Sequence, residues 1–278
     1  MIKAIFIIVR PVNVVISMMS VYLGGVISFD EYYSNDLLLA CFSAGLIAGF
    51  GNVGNDIFDI EIDRKSKPFR PLASSQITIK SAIVLAFILS LVGLVSAALI
   101  NRSCLLIASV TAIALLFYTP LFKGRGYAGN ILISLISALA FFYGAAATGN
   151  ISGGLIPAVF AYLFHFIREI VKDMEDYEAD KTYNVPTGAV RYGFKVSRGY
   201  AVGLMMILII ATLIPYQMKI YSLTYLVMVI LGTDIFLLYF IIRLYRRPDK
   251  QTYRLISAVM KTVMPLGILA VFVGSRGF

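Results

Sequence analysis

The stretch that decides the fold runs from residue 37 to residue 72, LLLACFSAGLIAGFGNVGNDIFDIEIDRKSKPFRPL. Its first eighteen residues, 37–54, are almost all apolar or small. About 20 such residues cross the hydrocarbon core of a bilayer as a helix. Four carboxylates and then four cations follow within residues 56–70. An apolar helix that ends in eight charged residues indicates a membrane span with a functional site at its end.

The same apolar pattern recurs along the chain. Of its 278 residues, 59% are hydrophobic and 14% are charged, and the mean hydropathy is +0.86. Soluble domains average about 25% charged residues, so we predict an all-α, polytopic membrane protein with one domain over residues 1–278. The predicted spans are 11–29, 37–57, 80–100, 103–121, 127–149, 154–172, 199–217, 221–243 and 256–275.

The positive charge is distributed unevenly between the loops. If the N-terminus is cytoplasmic and there are nine spans, the outer loops hold Asp30, Glu31 and Asp36. Only three of the 24 Lys and Arg residues lie on that side: Arg102, Lys219 and Arg276. Cytoplasmic loops of membrane proteins are rich in Lys and Arg, so we predict a multi-pass cell-membrane protein with a cytoplasmic N-terminus and an outer C-terminus. The net charge of +9 then suits anionic lipid or substrate rather than nucleic acid.

Acidic residues are concentrated at two helix ends. Nine of the fifteen Asp and Glu residues lie in 56–63 and 173–180. On a continuous helix Asn55, Asp59 and Asp63 share one face, and like charges so spaced repel each other. A second cluster has the spacing i, i+4, i+7, i+11: Glu169, Asp173, Asp176 and Asp180. Oxygen-only clusters of this kind suit Mg²⁺, which shares its coordination with water and substrate phosphates.

At these residues the chain resembles the UbiA-type intramembrane prenyltransferases. The first motif of that family, NDxxDxxxD followed by an RPL-like turn, matches 55–63 and 70–72. Its second motif, DxxxD preceded by another Asp, matches Asp173 and 176–180. A Tyr-x-x-x-x-Lys element between them matches 118–123. The resemblance extends over the whole chain.

The resemblance implies a nine-helix bundle around a central cavity, capped by cytoplasmic loops in which the two acidic motifs face each other. It implies an isoprenoid diphosphate donor held by Mg²⁺, with no nucleic acid involved. The implied catalytic residues are Asp59, Asp63, Asp176, Asp180 and Tyr118. The implied metal ligands are Asn55, Asp56, Asp59, Asp63, Asp173, Asp176 and Asp180. The implied phosphate-binding residues are Arg10, Arg64, Lys67, Arg70 and Lys123.

Within the family, the chain most resembles the archaeal enzymes that prenylate a glycerol lipid. The likeness rests on residues 10–13 (RPVN), 168–173 (REIVKD) and the compact length. It implies transfer of a geranylgeranyl group from its diphosphate to the hydroxyl of geranylgeranylglyceryl phosphate, forming the second ether bond of archaeal lipids. The chain has Asn184-Val185-Pro186-Thr187 where a Thr-Leu-Pro-like segment is expected, which bears on the acceptor more than on the reaction.

Two other functions remain open from the sequence. One is prenyl transfer to an aromatic or quinone-precursor acceptor. The other is cation transport through membrane carboxylates, although transporters place such sites near the midplane rather than at helix ends. Two polar residues belong to no motif: His165, one turn before Glu169, and Asp234, inside the eighth span, where a carboxylate is costly. Cys41 and Cys104 fall inside spans and are expected to be packing residues.

Overall fold

A computed structural model describes residues 2–29 and 33–277. The predicted outer-loop carboxylates Asp30 and Glu31 lie outside the described residues. Over the described ranges the chain is helical and forms no strand longer than an isolated bridge, which confirms the predicted fold class. The helices are α1 (Ile2–Val9), α2 (Pro11–Ser28), α3 (Asn35–Phe58), α4 (Ile60–Ser66), α5 (Ile79–Ile100), α6 (Arg102–Phe117), α7 (Tyr127–Ala147), α8 (Leu155–Thr182), α9 (Gly188–Gln217), α10 (Leu223–Val229), α11 (Ile235–Arg246) and α12 (Lys250–Ser275).

Within the described part of the chain, nine helical stretches are long and apolar enough to cross a membrane, as predicted. Three of them extend beyond their apolar residues. The sixth span runs on to Thr182, the seventh begins at Gly188 and the ninth begins at Lys250. The apolar pattern marks only the part of a helix that suits lipid, whereas backbone hydrogen bonds continue the helix into polar surroundings. The sixth span therefore carries the second acidic cluster on its own helix.

The chain forms two compact units, and the first comprises Met1–Phe122 and Leu139–Leu155. Helix α3 packs against α2, α5 and α6. Small residues allow the end of α7 to lie close to α2: a side chain added at Gly144 would overlap the backbone of Val21 and Gly25. The Tyr143 hydroxyl donates to Ser43 Oγ on α3 at 2.8 Å. The apolar spans are thus joined by close backbone contact and by buried hydrogen bonds.

The second unit comprises Lys123–Ala138 and Ile156–Phe278. Its buried core comes from α8, α9, α11 and α12, with Ile167, Met205, Leu237 and Ile256 almost inaccessible to solvent. Helix α9 is kinked near its start, because Gly193 has φ +82°, a backbone conformation that favours glycine. The residues of α9 before and after Gly193 therefore run in different directions.

Of the spans that the structure describes, two contain a π-helical turn. The first, Tyr118–Phe122, follows α6 and includes Pro120; the second, Ile230–Asp234, joins α10 to α11. Such turns widen the helix locally and often occur at functional sites. The second brings the buried Asp234 carboxylate within 3.1 Å of the Thr212 hydroxyl, which supports a hydrogen-bonded structural role for it. Both cysteines are buried and free, as expected of packing residues.

Candidate functional site

The first acidic cluster lies where α3 passes into α4. Asp59 is the residue between the two helices, and the hydrogen bonds of a helix continue through it: its amide donates to the Asn55 carbonyl at 2.9 Å, and its carbonyl accepts the Asp63 amide at 2.8 Å. Asn55, Asp59 and Asp63 therefore keep the helical spacing that the sequence predicted. Asp56, Asp59 and Asp63 are only 2%, 8% and 4% exposed. A buried carboxylate requires a compensating partner.

Two arginines supply that compensation. Arg10 lies at the break between α1 and α2, in a left-handed conformation with φ 56°, and its guanidinium pairs with Asp56. Arg70, in the turn after α4, donates to Asp56 at 3.2 Å and to Asp63 at 2.5 Å. Two guanidinium groups therefore converge on one buried carboxylate. The sequence indicated Arg10 and Arg70 as phosphate-binding residues but not that aspartates of the same motif hold them.

The other cations of this motif lie at the surface. Arg64 pairs with Glu61 at 3.0 Å, and these side chains are 50% and 78% exposed. Lys67 ends α4 and is exposed. The exposed Arg64–Glu61 pair contributes little to stability. Arg10 and Arg70, by contrast, are 30% and 20% exposed, which places them among the buried carboxylates while keeping part of each guanidinium accessible.

The Tyr-x-x-x-x-Lys element contacts the first motif through Thr119, a residue that the sequence analysis did not single out. The Thr119 hydroxyl donates to Asn55 Oδ1 at 2.5 Å. This bond ties the π-helical turn after α6, which includes Tyr118, to the end of α3. The signal for Thr119 was its place within the matched element. The aromatic residues Phe141 and Tyr143 of α7 are buried, which suits a role in helix packing.

The second acidic cluster lies on α8, which is continuous from Leu155 to Thr182. Glu169, Asp173, Asp176 and Asp180 therefore share one helix face, as the spacing predicted. His165 lies half-buried one turn before this face. At the start of the face, Glu169 is paired with cations of its own helix, Arg168 at 2.7 Å and Lys172 at 3.8 Å.

Neutral donors hold two carboxylates of this cluster. Asn130 on α7 donates to Asp173 at 2.9 Å, and the Thr187 hydroxyl donates to Asp180 at 3.1 Å. Sequence reasoning missed Asn130, for which no motif gave a signal. It recorded Thr187 only as part of a departure from the family pattern. The structure shows that the departing segment supplies a hydrogen-bond donor to the second motif.

A contact between two loops brings Lys123 toward Asp180. The Gly126 amide donates to the Pro186 carbonyl at 2.8 Å, and Gly126 and Thr187 form an isolated parallel bridge. The Lys123 ammonium interacts electrostatically with Asp180, whereas Asp173 is repelled by the other carboxylates of its face, Glu169 and Asp180. A bound cation would relieve that repulsion.

The donor atoms fit a magnesium ion. Among the described residues, no group of three or more His, Cys, Asp or Glu side chains forms a ready-made metal cage. Mg²⁺ does not require one, because it usually binds through one or two carboxylates, several waters and the phosphates of its substrate. The first cluster offers carboxylate oxygens and the Asn55 amide oxygen, and the second offers carboxylate oxygens. Each cluster therefore has the chemistry of a magnesium site that substrate would complete.

A membrane-spanning helical fold with two acidic clusters, each accompanied by cations, defines the class of this protein. The chain matches the model of the UbiA prenyltransferase family over residues 14–263. It belongs to that family, and the resemblance seen in its motifs is confirmed.

Individual relatives make the comparison more specific. A protein of Sulfurisphaera tokodaii named digeranylgeranylglyceryl phosphate synthase is 38% identical over 275 residues, which cover 98% of this chain and 97% of the relative. A solved digeranylgeranylglyceryl phosphate synthase structure superimposes with a TM-score of 0.84 and 33% identity, over 99% of this chain and 98% of that one. A UbiA homolog from Archaeoglobus fulgidus, solved with GPP and Mg²⁺, shares the fold: the TM-score is 0.71 at 17% identity, over 96% of this chain and 99% of that one.

Proposed function

We propose that the protein transfers a geranylgeranyl group from geranylgeranyl diphosphate to the free hydroxyl of geranylgeranylglyceryl phosphate. The bond between the allylic carbon and the diphosphate oxygen breaks, and both its electrons leave with the diphosphate. The acceptor oxygen then bonds to that carbon to form an ether, and its proton passes to a base. The observation that carries the proposal is the 38% identity to a named synthase over 98% of the chain, which includes both acidic motifs.

The residues divide into three proposed roles within one domain, 1–278. Asp59, Asp63, Asp176, Asp180 and Tyr118 act in catalysis. Metal binding belongs to Asn55, Asp56, Asp59, Asp63, Asp173, Asp176 and Asp180. Arg10, Arg64, Lys67, Arg70 and Lys123 bind substrate phosphate groups.

Magnesium is the proposed metal, because hard carboxylate oxygens are its preferred protein ligands. When bound with the diphosphate, it supplies stabilisation for the negative charge that develops on the leaving group. The chain's own cations act in the same direction, since Arg70 and Lys123 carry fixed positive charge beside the two motifs. The proton of the acceptor hydroxyl is accepted either by the departing diphosphate or by an Asp of the second motif.

The arginines suit the phosphate of a lipid acceptor. The guanidinium group presents several N–H donors in a fixed plane that matches a phosphate. Arg10 and Arg70 are both held by Asp56, so their positions are set before any anion arrives. Tyr118, in the π-helical turn, offers an aromatic face to the cation-like allylic fragment. The two preset arginines favour an anionic acceptor.

The test is prenyl transfer by the purified protein in detergent. Labelled geranylgeranyl diphosphate is supplied with geranylgeranylglyceryl phosphate or, in parallel, with hydroxybenzoate, and each reaction is run with Mg²⁺ or with EDTA. We expect Mg²⁺-dependent label in the doubly prenylated glycerol phosphate. Label in the aromatic product alone would overturn the proposed acceptor.

Single carboxylate variants test the residue assignments in the same assay. Asp59→Asn and Asp176→Asn should each lower the transfer rate by at least about a hundredfold, because each removes a carboxylate that would hold the metal ion, and the metal ion stabilises the negative charge of the diphosphate. Glu61→Gln is the matched control: Glu61 lies in the first motif but is 78% exposed at the surface and has no assigned role. Near-normal activity of either Asp variant would refute its assignment.

A further inference from the structure

The second unit contains a cavity that the proposed reaction does not use. It lies between the end of α8, the part of α9 after its kink and the turn before α12, and its volume is about 480 Å³. Small-molecule sites typically have volumes of about 300–1,000 Å³. It is lined by Met174, Glu175, Tyr177, Glu178, Phe194, Lys195, Arg198, Pro248, Lys250 and Tyr253.

The lining side chains of α8 come from a different part of the helix surface than the acidic face. Successive residues of an α-helix are about 100° apart, so Met174 and Glu178 point well away from the direction of Asp173, Asp176 and Asp180. Tyr177, about 40° from Asp173, lies at the border between the two sides of the helix. The cavity is therefore centred on the side of α8 opposite the second acidic motif, although both lie at the same end of the helix. A ligand there would not compete directly with the diphosphate.

One wall of the cavity is aromatic. The ring of Phe194 lies between two others, with its centroid 4.5 Å from that of Tyr177 and 5.8 Å from that of Tyr253. Tyr253 and Met174 are 3% and 1% exposed, so they form a rigid apolar base, whereas Phe194 is 38% exposed. Such a wall suits the glycerol carbons and first methylenes of a lipid.

Three cations line the same cavity: Lys195, Arg198 and Lys250. Arg198 also lies over the Tyr245 ring, 5.1 Å from its centroid. Within the described residues, no ion pair within 4 Å joins these cations to the two carboxylates of the cavity, Glu175 and Glu178. The cavity therefore has three cationic and two anionic side chains, and they do not neutralise each other in ion pairs.

The remaining carboxylate of this region is already engaged. Asp249, between Pro248 and Lys250, caps α12 by accepting the Thr252 amide at 2.7 Å. Hydrogen bonds from the Thr252 amide and hydroxyl lower the pKa of Asp249. Glu175 and Glu178 differ, since they face the cavity and can accept hydrogen bonds from hydroxyl groups of a ligand.

The surface around the cavity has the composition of a membrane interface. Tyr245, whose ring lies under the lining residue Arg198, is 58% exposed, and Tyr192 and Tyr200, each two positions from a lining residue of α9, are 47% and 54% exposed. Tyrosine is enriched at the level of lipid headgroups. Basic pockets between membrane helices at that level bind anionic headgroups.

We propose that this cavity binds the headgroup of an anionic glycerophospholipid from the surrounding bilayer. Lys195, Arg198 and Lys250 contact the phosphate, the ring of Phe194 covers the glycerol backbone, and Glu175 and Glu178 accept hydrogen bonds from headgroup hydroxyls. The site is independent of the proposed prenyl transfer, so a failure of either proposal leaves the other standing.

Native mass spectrometry of the full chain in mild detergent tests this site. The probes are phosphatidylglycerol, phosphatidylcholine and inorganic phosphate. The variant Lys195→Gln/Lys250→Gln should bind phosphatidylglycerol about thirtyfold more weakly, because each lysine near an anionic lipid surface contributes a factor of about five to the affinity. The matched control is Lys65→Gln/Lys80→Gln, which removes two exposed lysines of the first unit and should change the affinity by less than about twofold.

Each outcome decides the proposal. Equal losses in both double variants, equal wild-type affinity for phosphatidylcholine, or saturation of the site by inorganic phosphate alone would overturn it. If the double variant does not fold, the wild-type protein still provides a test: raising the salt from about 0.1 to about 0.5 M should weaken phosphatidylglycerol binding severalfold through screening. Binding that is insensitive to salt would refute the role of the lysines.

Discussion

At the scale of single residues, ion pairs between buried aspartates and two arginines hold the first motif together. Asp56 accepts both Arg10 and Arg70, and Arg70 also reaches Asp63. The two carboxylates are buried and would repel each other without the arginines. The guanidinium of Arg70 is therefore both a stabilising element of the fold and a preset anion-binding group. Its loss should affect the protein well beyond catalysis.

We predict that Arg70→Leu lowers the stability of the protein by about 3–5 kcal/mol, because it takes the guanidinium partner from the buried Asp63 and leaves Asp56 with Arg10 alone. Arg64→Leu is the control and should cost about 0–1 kcal/mol, since the Arg64–Glu61 pair is exposed. Thermal unfolding in detergent can be followed with a thiol-reactive dye, because both cysteines are buried in the folded protein. Equal unfolding temperatures for the two variants would contradict the prediction.

A second prediction concerns the donor that holds Asp180. Thr187→Val removes the hydroxyl that bonds to this carboxylate at 3.1 Å, and a hydrogen bond to a charged group is worth about 1.5–3 kcal/mol. We expect kcat to fall about tenfold or more and Thr187→Ser to restore it. Thr182→Val, which removes an exposed hydroxyl bonded to the Glu178 carbonyl, should leave kcat unchanged. Failure of the serine variant to rescue activity would refute a positioning role.

At the scale of elements, glycines decide how closely helices approach. The end of α7 lies against α2 so closely that a Cβ at Gly144 would overlap the Val21 carbonyl. Backbone atoms cannot move aside as a flexible side chain can. By contrast, nothing lies within 4 Å of a Cβ at Gly203 on α9.

Gly144→Ala should therefore destabilise the protein by about 1–3 kcal/mol through overpacking. Gly203→Ala should be neutral or stabilise it by up to about 1 kcal/mol, because alanine is the better helix former. Unfolding temperatures of the two variants against wild type provide the measurement. A stable Gly144→Ala protein would show that α2 and α7 are not in close contact.

At the scale of the whole molecule, we propose that the N-terminus and the loops that carry the acidic motifs are cytoplasmic and the C-terminus is outside. If all nine candidate spans of the described residues cross the membrane, the two ends of the chain lie on opposite sides, and the excess of Lys and Arg in one set of loops indicates the cytoplasmic side. The same asymmetry concentrates cations near both acidic motifs. The same Lys and Arg residues therefore suit both the proposed membrane orientation and the binding of an anionic substrate.

Cysteine labelling tests this orientation. In a Cys41→Ala/Cys104→Ala background, Gln76→Cys marks the turn before α5 and Arg102→Cys marks the start of α6; both positions are exposed. An impermeant maleimide added to intact spheroplasts should label the thiol at position 102 and should label position 76 only after lysis. The reverse pattern would invert the proposed topology.

The sequence alone determined the fold class, the number of spans and the family, because these depend on hydrophobic length and on motifs that are local along the chain. It also placed Asp173, Asp176 and Asp180 on one helix face, since helical periodicity is a local property. The sequence did not show that the helix of the sixth span continues beyond the predicted apolar residues, 154–172, to Thr182, because apolar length measures the lipid-facing part and not the hydrogen-bonded helix.

Only the tertiary structure decided which side chains hold the acidic residues. Arg10 and Asp56 are 46 positions apart, Thr119 and Asn55 are 64 apart, and Asn130 and Asp173 are 43 apart. No periodicity links residues at such separations, since their contact depends on how the helices pack within each unit. The physical reason is that a buried carboxylate must be paired with a donor, and helix packing decides which donor lies beside it. The sequence motif contains only the carboxylates and does not identify that donor.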